Sequence, residues 1–154
     1  MIFMQIEEKL VKEQQLAVIN YKGATEDMGK LIYEISAWAK DNEITLSGPP
    51  FAIYYSSPQE NAEEVVYDVG FPMEGKVQGT GKIIIATVPE HTVVYAVHKG
   101  SYADLPLVYQ SMVEFVMMNK YDVIGSPKEI YFNSPDEVSA CELLTEVQFP
   151  VIKM

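Results

Sequence analysis

Cysteine is almost absent from this chain. Cys141 is the one cysteine among 154 residues, so no disulfide can form within the chain. A lone cysteine is usually a small core residue in a reducing compartment, and no base partner marks Cys141 as a nucleophile. The sequence therefore predicts a cytoplasmic protein.

Long apolar runs are also lacking. No stretch reaches the ~18 residues of a membrane-spanning helix, so no membrane partner is expected. The opening residues, MIFMQIEEKLVKEQQ, reach charged side chains too early for a secretory signal peptide. With 48% hydrophobic residues among 154, the composition predicts one globular domain over residues 1–154.

Basic residues are scarce relative to acidic ones. Eleven Lys and Arg stand against 22 Asp and Glu, which gives a net charge of −11. Phosphate backbones are bound by clusters of basic side chains, and here these are scattered. Direct binding of nucleic acid is therefore not expected, whereas an acidic surface tolerates cationic small molecules.

Signals for metals and cofactors are missing as well. His91 and His98 lack Cys or acidic partners at metal-ligand spacing, so no metal site is expected and a structural role is favoured for His98. The glycine-rich stretch GTGKI, residues 79–83, lacks the spacing of a phosphate-binding loop and is predicted to join two parts of the chain. No cofactor is expected.

What the chain does contain is an internal repeat. YKGATEDMGKLIYEISAWAKDNEITLSGPPFAIYYSSPQE, from Tyr21, aligns without a gap with HKGSYADLPLVYQSMVEFVMMNKYDVIGSPKEIYFNSPDE, from His98. The offset is 77 residues, half of the 154-residue chain. Identical pairs include Lys22/Lys99, Gly23/Gly100, Asp27/Asp104, Asn42/Asn119, Gly48/Gly125, Pro50/Pro127, Ile53/Ile130, Tyr54/Tyr131, Pro58/Pro135 and Glu60/Glu137. Further on, GFPM matches QFPV after a one-residue shift. Register kept over this length indicates a duplication.

Each half predicts the same order of elements. Two extended runs (IFMQIEEKLV and LAVINYKG, then KIIIATV and TVVYAVHKG) precede an apolar stripe with helical spacing. The stripes are Met28, Leu31, Ile32, Ile35, Trp38 and Ala39, and Leu105, Val108, Tyr109, Met112, Phe115 and Val116. Gly and Pro then punctuate the chain before two more strands.

The predicted fold is therefore α+β, an internally duplicated β-β-α-β-β unit with repeat halves at about residues 1–77 and 78–154. Short turns between neighbouring strands favour an antiparallel sheet over a doubly wound parallel one. A pair of repeats related by a pseudo-two-fold axis predicts a cleft between the halves, where ligands commonly bind.

The two copies differ at one position that suggests chemistry. Tyr54 matches Tyr131, but Ala52 stands opposite Glu129, so only the second copy has the carboxylate. Alternation along a strand places Glu129 and Tyr131 on one face and Ile130 and Phe132 on the other. Either Glu129 is an edge residue in water or paired with Lys128, or it lies at the floor of an aromatic pocket.

Aromatic residues are numerous enough to line such a pocket. The chain has 10 Tyr, 6 Phe and 1 Trp, and a tyrosine lining a wet cleft needs no buried hydrogen-bond partner, whereas one in a dry core does. Core filling is the usual role of such stripes. The candidates for ligand binding are Tyr33, Trp38, Tyr54, Tyr67, Tyr102, Tyr109, Phe115, Glu129 and Tyr131.

HKGSYADL, GSPKEIYFNSPDE and VVYDVGFPM together resemble the bacterial gyrase-inhibitor-like, or effector-binding, domains over nearly the whole chain. Those domains occur alone or fused to DNA-binding regions in AraC-type and MerR-type regulators. The resemblance implies a duplicated fold, a pocket between its halves, and flat, lipophilic, often cationic ligands. It also implies that Glu129, from the EIY segment, and Tyr131 are pocket residues of a stand-alone member.

Three functions are compatible with these residues. We favour a small-molecule-binding protein in which Glu129 meets a ligand cation and aromatic faces stack on it. The first alternative is a hydrolase of strained electrophilic compounds, resembling some family members, with Glu129 as general base and Tyr131 as proton donor. The second is a modulator that binds a protein such as gyrase.

Overall fold

The computed structural model of the chain describes residues 5–154, which form ten strands and two helices. The predicted first run, IFMQIEEKLV, begins in residues 2–4, which lie outside the described residues. The strands are β1 (Glu7–Val11), β2 (Gln14–Gly23), β3 (Thr45–Leu46), β4 (Phe51–Tyr54), β5 (Val65–Glu74), β6 (Ile84–Val88), β7 (His91–Lys99), β8 (Tyr121–Val123), β9 (Lys128–Tyr131) and β10 (Leu144–Lys153).

The two helices are α1 (Met28–Asp41) and α2 (Leu105–Met118), and each follows a 3-10 turn. Each buries one residue per turn of its predicted stripe: Met28, Leu31, Ile35 and Ala39, and Leu105, Val108, Met112 and Val116. Pro106 is tolerated in the first turn of α2, where its missing N–H has no intrahelical partner to lose.

The described residues divide into two compact units. One consists of the described part of Met1–Lys12 together with Glu90–Met154, and we call it the Glu129 unit. Its strands lie in the order β1-β7-β10-β9, and β8 also pairs with β10. Every one of these pairings is antiparallel. Helix α2 packs on β7 and β8, so one face of this sheet is covered by a helix.

The second unit, Glu13–Pro89, is called the Tyr67 unit. Its strands lie in the order β4-β5-β2-β6, all antiparallel, and β3 also pairs with β5. Helix α1 packs on β5.

The first strand of each sequence repeat pairs with a strand of the other repeat: β1 pairs with β7, and β6 pairs with β2. Compact units and sequence repeats therefore have different boundaries, and the repeat halves near residues 77 and 78 remain a prediction.

The strand registers confirm the duplication. Tyr54 pairs with Tyr67 across β4 and β5, and Tyr131 pairs with Thr145 across β9 and β10. The register of β2 on β5 places Tyr21 opposite Tyr67, and that of β7 on β10 places His98 opposite Thr145. Equivalent positions thus keep the 77-residue offset through β9 and shift by one residue in the last strand.

The α+β class, the antiparallel pairing and the duplicated order of elements are as predicted. Two short strands, β3 and β8, were missed because they are only two and three residues long. The cleft between the halves remains a prediction.

The core of the Glu129 unit lies between α2 and its sheet. Buried Met112 and Val116 of the helix meet Val94 of β7 and Val147 and Phe149 of β10. Because Glu129 pairs with Val147, the alternation of the strands turns its side chain toward this same helix-covered face.

Candidate functional site

Glu129 is a buried carboxylate on the helix-covered face of the Glu129 unit. Only 7% of the residue is exposed. Tyr131 shares its face, as the alternation predicted, while Phe132 is exposed on the other. Lys128 also points the other way, and no lysine within residues 5–154 forms an ion pair with Glu129. The interpretation of Glu129 as an edge residue in water, or as the partner of Lys128, is therefore wrong for the structure.

Two tyrosine hydroxyls hold the carboxylate. Tyr109 of α2 donates to Oε2 at 2.5 Å, and Tyr131 of β9 donates to Oε1 at 2.9 Å. Burial raises the pKa of Glu129 above its ordinary value, and the hydrogen bonds from Tyr109 and Tyr131 lower it part of the way back. The folded chain therefore holds the proton of Glu129 more tightly than an exposed glutamate would.

Further aromatic rings surround this acid. Tyr102, on the 3-10 turn before α2, packs edge-on against Tyr131 with ring centroids 6.0 Å apart. Tyr109 lies 5.8 Å from Phe149 of β10. Burial, and the charge of Glu129, raise the pKa of the Tyr102 hydroxyl, so this ring is close enough to sense the carboxylate. Four predicted residues, Tyr102, Tyr109, Glu129 and Tyr131, are therefore gathered at one place.

The equivalent positions in the Tyr67 unit form a different cluster. Tyr54 and Tyr21 flank Tyr67 across adjacent strands, with ring centroids 6.0 and 5.6 Å from it. Tyr67 is fully buried, and its hydroxyl donates to the carbonyl of Ala24 at 3.1 Å. Ala52, fully buried, occupies the place of Glu129. This row of tyrosines has alanine, and not a carboxylate, at the position equivalent to Glu129.

The other predicted aromatics lie elsewhere in their units. Tyr33, which is 73% exposed, and Trp38 line a shallow groove of about 480 Å³ between α1 and residues 80–83. Trp38 donates its indole N–H to Thr80, 3.3 Å away. Phe115 stacks on Tyr121 in the core of the Glu129 unit, with centroids 6.1 Å apart. Their roles in ligand binding remain predictions.

Two residues of the Glu129 site were missed by sequence reasoning. Phe149 packs on Tyr109, and the fully buried Thr145 pairs with Tyr131. Thr145 had a signal: with the one-residue shift of the last strand it stands where the first repeat has Tyr67. A small residue opposite a large one is an asymmetry of the same kind as Glu129 opposite Ala52.

The comparison with protein families decides what kind of domain carries this site. The model of the GyrI-like small molecule binding domain matches residues 4–152. The chain belongs to this family. The resemblance predicted from its motifs is thereby confirmed, and the buried site lies in a GyrI-like small-molecule-binding domain. Among curated proteins, none matches the sequence.

Solved structures show the same GyrI-like fold at low sequence identity. The C-terminal domain of EcmrR is 24% identical with a TM-score of 0.88, and the match covers 99% of this chain and 100% of that one. In the EcmrR–DNA complex, the whole regulator gives 24% identity and a TM-score of 0.87, with 98% of this chain and 58% of that chain covered. This GyrI-like chain therefore spans little more than half the length of that regulator.

Two more distant structures carry functional names. SAV2435 bound to tetraphenylphosphonium is 8% identical with a TM-score of 0.60, covering 97% of this chain and 94% of that one. A hydrolase from Listeria innocua is 14% identical with a TM-score of 0.74, covering 96% and 92%. At these identities the likeness shows the fold alone.

A second polar cluster in this GyrI-like domain lies on the other face of the Glu129 unit. Buried Glu146 accepts from Lys9 at 2.7 Å and from Gln148 at 2.6 Å. Lys9 also lies over the ring of Tyr95, 4.1 Å from its centroid. Burial lowers the pKa of nearby Lys128 to about 8, against the opposing effect of Glu146. In this cluster the buried carboxylate of Glu146 is paired with the ammonium group of Lys9.

Within residues 5–154, no three His, Cys, Asp or Glu side chains are grouped as a metal site requires. No helix of these residues is long and apolar enough to span a bilayer.

Proposed function

We propose that this GyrI-like domain binds lipophilic cations, with Glu129 as the counter-ion, in effector sensing or in the sequestration of toxic compounds. The observation that carries the proposal is that Glu129 is buried, is held by Tyr109 and Tyr131, and forms no ion pair with a lysine among residues 5–154. Isolated buried charges are costly in a folded protein, and a bound cation relieves that cost.

The aromatic side chains supply the rest of the binding energy. A cation against a tyrosine face gains about 0.5–2 kcal/mol for each contact, more when water is excluded. Tyr102, Tyr109 and Tyr131 surround the carboxylate and offer such faces, while Phe149 extends the apolar wall. Flat or propeller-shaped aromatic cations suit this combination better than small hydrated ions.

The structural comparisons support the ligand class. SAV2435 has the same fold with tetraphenylphosphonium bound, and EcmrR carries the fold at the C-terminus of a regulator. We expect this chain by itself to bind duplex DNA weakly, because its 11 basic residues face 22 acidic ones and few phosphates could be neutralised.

Titration calorimetry tests the proposal with a matched pair of ligands, methyltriphenylphosphonium and neutral triphenylphosphine oxide. We expect wild type to bind the cation more tightly, and Glu129→Gln to lose about 1.5–3 kcal/mol of cation affinity while keeping its affinity for the neutral compound. Glu114→Gln, an exposed carboxylate on α2, is the control and should match wild type. Equal binding of both compounds by wild type and Glu129→Gln would refute the proposal.

Hydrolysis is the second candidate, favoured by one observation. The raised pKa of Glu129 makes this carboxylate, beside the hydroxyl of Tyr131, a stronger base than an exposed glutamate, which suits a general base that activates water. A hydrolase of the same fold is known from Listeria innocua. Incubation with an epoxide- or cyclopropane-containing compound, followed by mass spectrometry, separates the two: a product heavier by one water that Glu129→Gln fails to form supports hydrolysis, and unchanged compound supports binding.

A further inference from the structure

Thr145 carries an unpartnered polar group inside the Glu129 unit. The residue is fully buried, and its Oγ1 is the one buried side-chain oxygen or nitrogen within residues 5–154 that has no hydrogen-bond partner. Buried hydroxyls are nearly always bonded, because leaving one unbonded destabilises the fold. The exception therefore calls for a physical reason.

The position of Thr145 places it in the Glu129 site. It pairs with Tyr131 on one side and with His98 on the other, and it precedes Val147, the partner of Glu129, by two residues. Residues two apart on a strand share a face, so Thr145 and Glu129 are diagonal neighbours, with Cα atoms ~7–8 Å apart. The Thr145 hydroxyl and the Glu129 carboxylate thus lie on the same buried face of the sheet, with Tyr131 beside both.

The repeat shows how the hydroxyl lost its partner. In the Tyr67 unit the hydroxyl of Tyr67 donates to the Ala24 carbonyl. The equivalent carbonyl in the Glu129 unit, that of Ser101, is taken by Nε2 of His98 at 3.0 Å. Because His98 already makes the hydrogen bond to this carbonyl, position 145 does not need a tyrosine. The smaller Thr145 has a hydroxyl without a hydrogen-bond partner.

The two repeats also differ in where they carry an aromatic residue, on the strand or on the 3-10 turn. The first repeat has Thr25 on its 3-10 turn and Tyr67 on its strand, whereas the second has Tyr102 on the turn and Thr145 on the strand. Tyr67 is anchored in β5, but Tyr102 belongs to a three-residue turn and packs edge-on against Tyr131. Tyr102 therefore approaches Tyr131, the cross-strand partner of Thr145, from a short turn and not from a strand.

We infer that Thr145 is a specificity-determining residue of the Glu129 site, whose hydroxyl bonds a neutral polar group of the ligand once Tyr102 has turned away. The inference rests on the proposed function and narrows its ligand class. The preferred ligand is an aromatic cation that also has a hydroxyl, ether or carbonyl oxygen, separated from the positive centre by about the ~7–8 Å of diagonal neighbours.

The test compares tetraphenylphosphonium with its derivative that has one 4-hydroxymethyl group, by titration calorimetry. We expect wild type to favour the hydroxymethyl compound about two- to tenfold, the scale of one hydrogen bond. Thr145→Val keeps the shape and removes the hydroxyl, so it should abolish this preference and bind the two cations equally. Thr145→Ser should retain the preference, and Thr145→Tyr, which copies the first repeat, should weaken both cations more than tenfold.

A melting-temperature measurement shows that the variants fold. Thr145→Val should melt at or above the wild-type temperature, because it removes a buried unbonded hydroxyl. Equal binding of the two cations by wild type, or a preference that persists in Thr145→Val, overturns the role of Thr145 and leaves the proposed function intact. If neither cation binds wild type, the proposed function fails and this inference fails with it.

Discussion

The Tyr109 hydroxyl lies 2.5 Å from Oε2 of Glu129, so helix α2 fixes an acid that strand β9 supplies. The contact joins two elements distant in sequence, and its strength depends on the charge of the carboxylate. A hydrogen bond to an ionised group stabilises that form and lowers the pKa of the acid. The contact with the helix therefore favours the ionised form of Glu129, which is the form that the proposed cation binding requires.

Replacing Tyr109 by Phe should raise the pKa of Glu129, because it removes a hydrogen bond that stabilises the ionised carboxylate. Affinity for a cation rises with pH as the empty site ionises. The midpoint of that rise, measured by calorimetry with tetraphenylphosphonium from pH 4.5 to 8, should move upward in Tyr109→Phe. Tyr33→Phe, on an exposed ring, should leave it in place. An unshifted midpoint in Tyr109→Phe would show that this bond does not tune the acid.

Glu129 should also make stability depend on pH. Its folded-state pKa is raised above the unfolded value, so the folded chain binds the proton more tightly and this stabilisation is fully present below the unfolded pKa. It is lost as pH rises through the folded pKa. In urea unfolding at several pH values from 4 to 8, wild type should lose ~1.4 kcal/mol relative to Glu129→Gln for each unit of the shift. Parallel profiles for the two proteins would contradict the raised pKa.

Lys128 should act in the opposite direction and at higher pH. Burial lowers its folded-state pKa to about 8, so the unfolded chain holds the extra proton between that value and the ordinary 10.5. The free energy of unfolding should therefore gain from this group as pH rises through that window, by up to ~1.4 kcal/mol per unit. Lys128→Met should lack this gain, whereas Lys12→Met, at a largely exposed position, should retain it. Tyrosines with raised pKa values lower the free energy of unfolding over the same pH range, but this effect is the same in all three proteins and cancels when they are compared.

Equivalent core positions allow the two units to be compared directly. Ile35 of α1 and Met112 of α2 are both fully buried and stand 77 residues apart in sequence. Ile35→Ala and Met112→Ala should each destabilise the fold by about 2–5 kcal/mol, the cost of lost burial and a residual cavity. Calorimetric scans read the outcome: a single shifted transition in both variants means that the units unfold together, and a second transition in either means that they do not. A loss below 1 kcal/mol would contradict the packing described for that helix.

Much of this fold could be predicted because both repeats have the same periodicity. The apolar spacing predicted α1 and α2, and Gly and Pro residues predicted where the later strands begin. The shared face of Glu129 and Tyr131 followed from strand alternation alone. Strands β3 and β8 were missed because they are too short to show an alternating pattern. The pairing of β1 with β7 and of β6 with β2 was missed because strand pairing between repeats leaves no local pattern in the sequence.

The site was predictable only in part, for a related reason. Glu129 differed visibly from Ala52, and the motif that includes it resembles a known family. The contact between Tyr109 and Glu129 depends on how a helix lies over a sheet, which periodicity does not determine. Thr145 was overlooked because a threonine in a strand is unremarkable until its lack of a hydrogen-bond partner is known.

The pairing of β1 and β6 with strands of the other repeat bears on how the chain folds as it leaves the ribosome. The Tyr67 unit, Glu13–Pro89, is one continuous segment and can form during synthesis. Strand β1 is made earlier but pairs with β7, so it must wait until its partner strand has been made. A circular permutant opened between Lys12 and Glu13, with residue 154 linked to residue 1, would make both units continuous and remove that wait. In the natural order, each compact unit contains a strand from the other sequence repeat. A cut between the repeats would therefore remove β6 from the Tyr67 unit and β1 from the Glu129 unit.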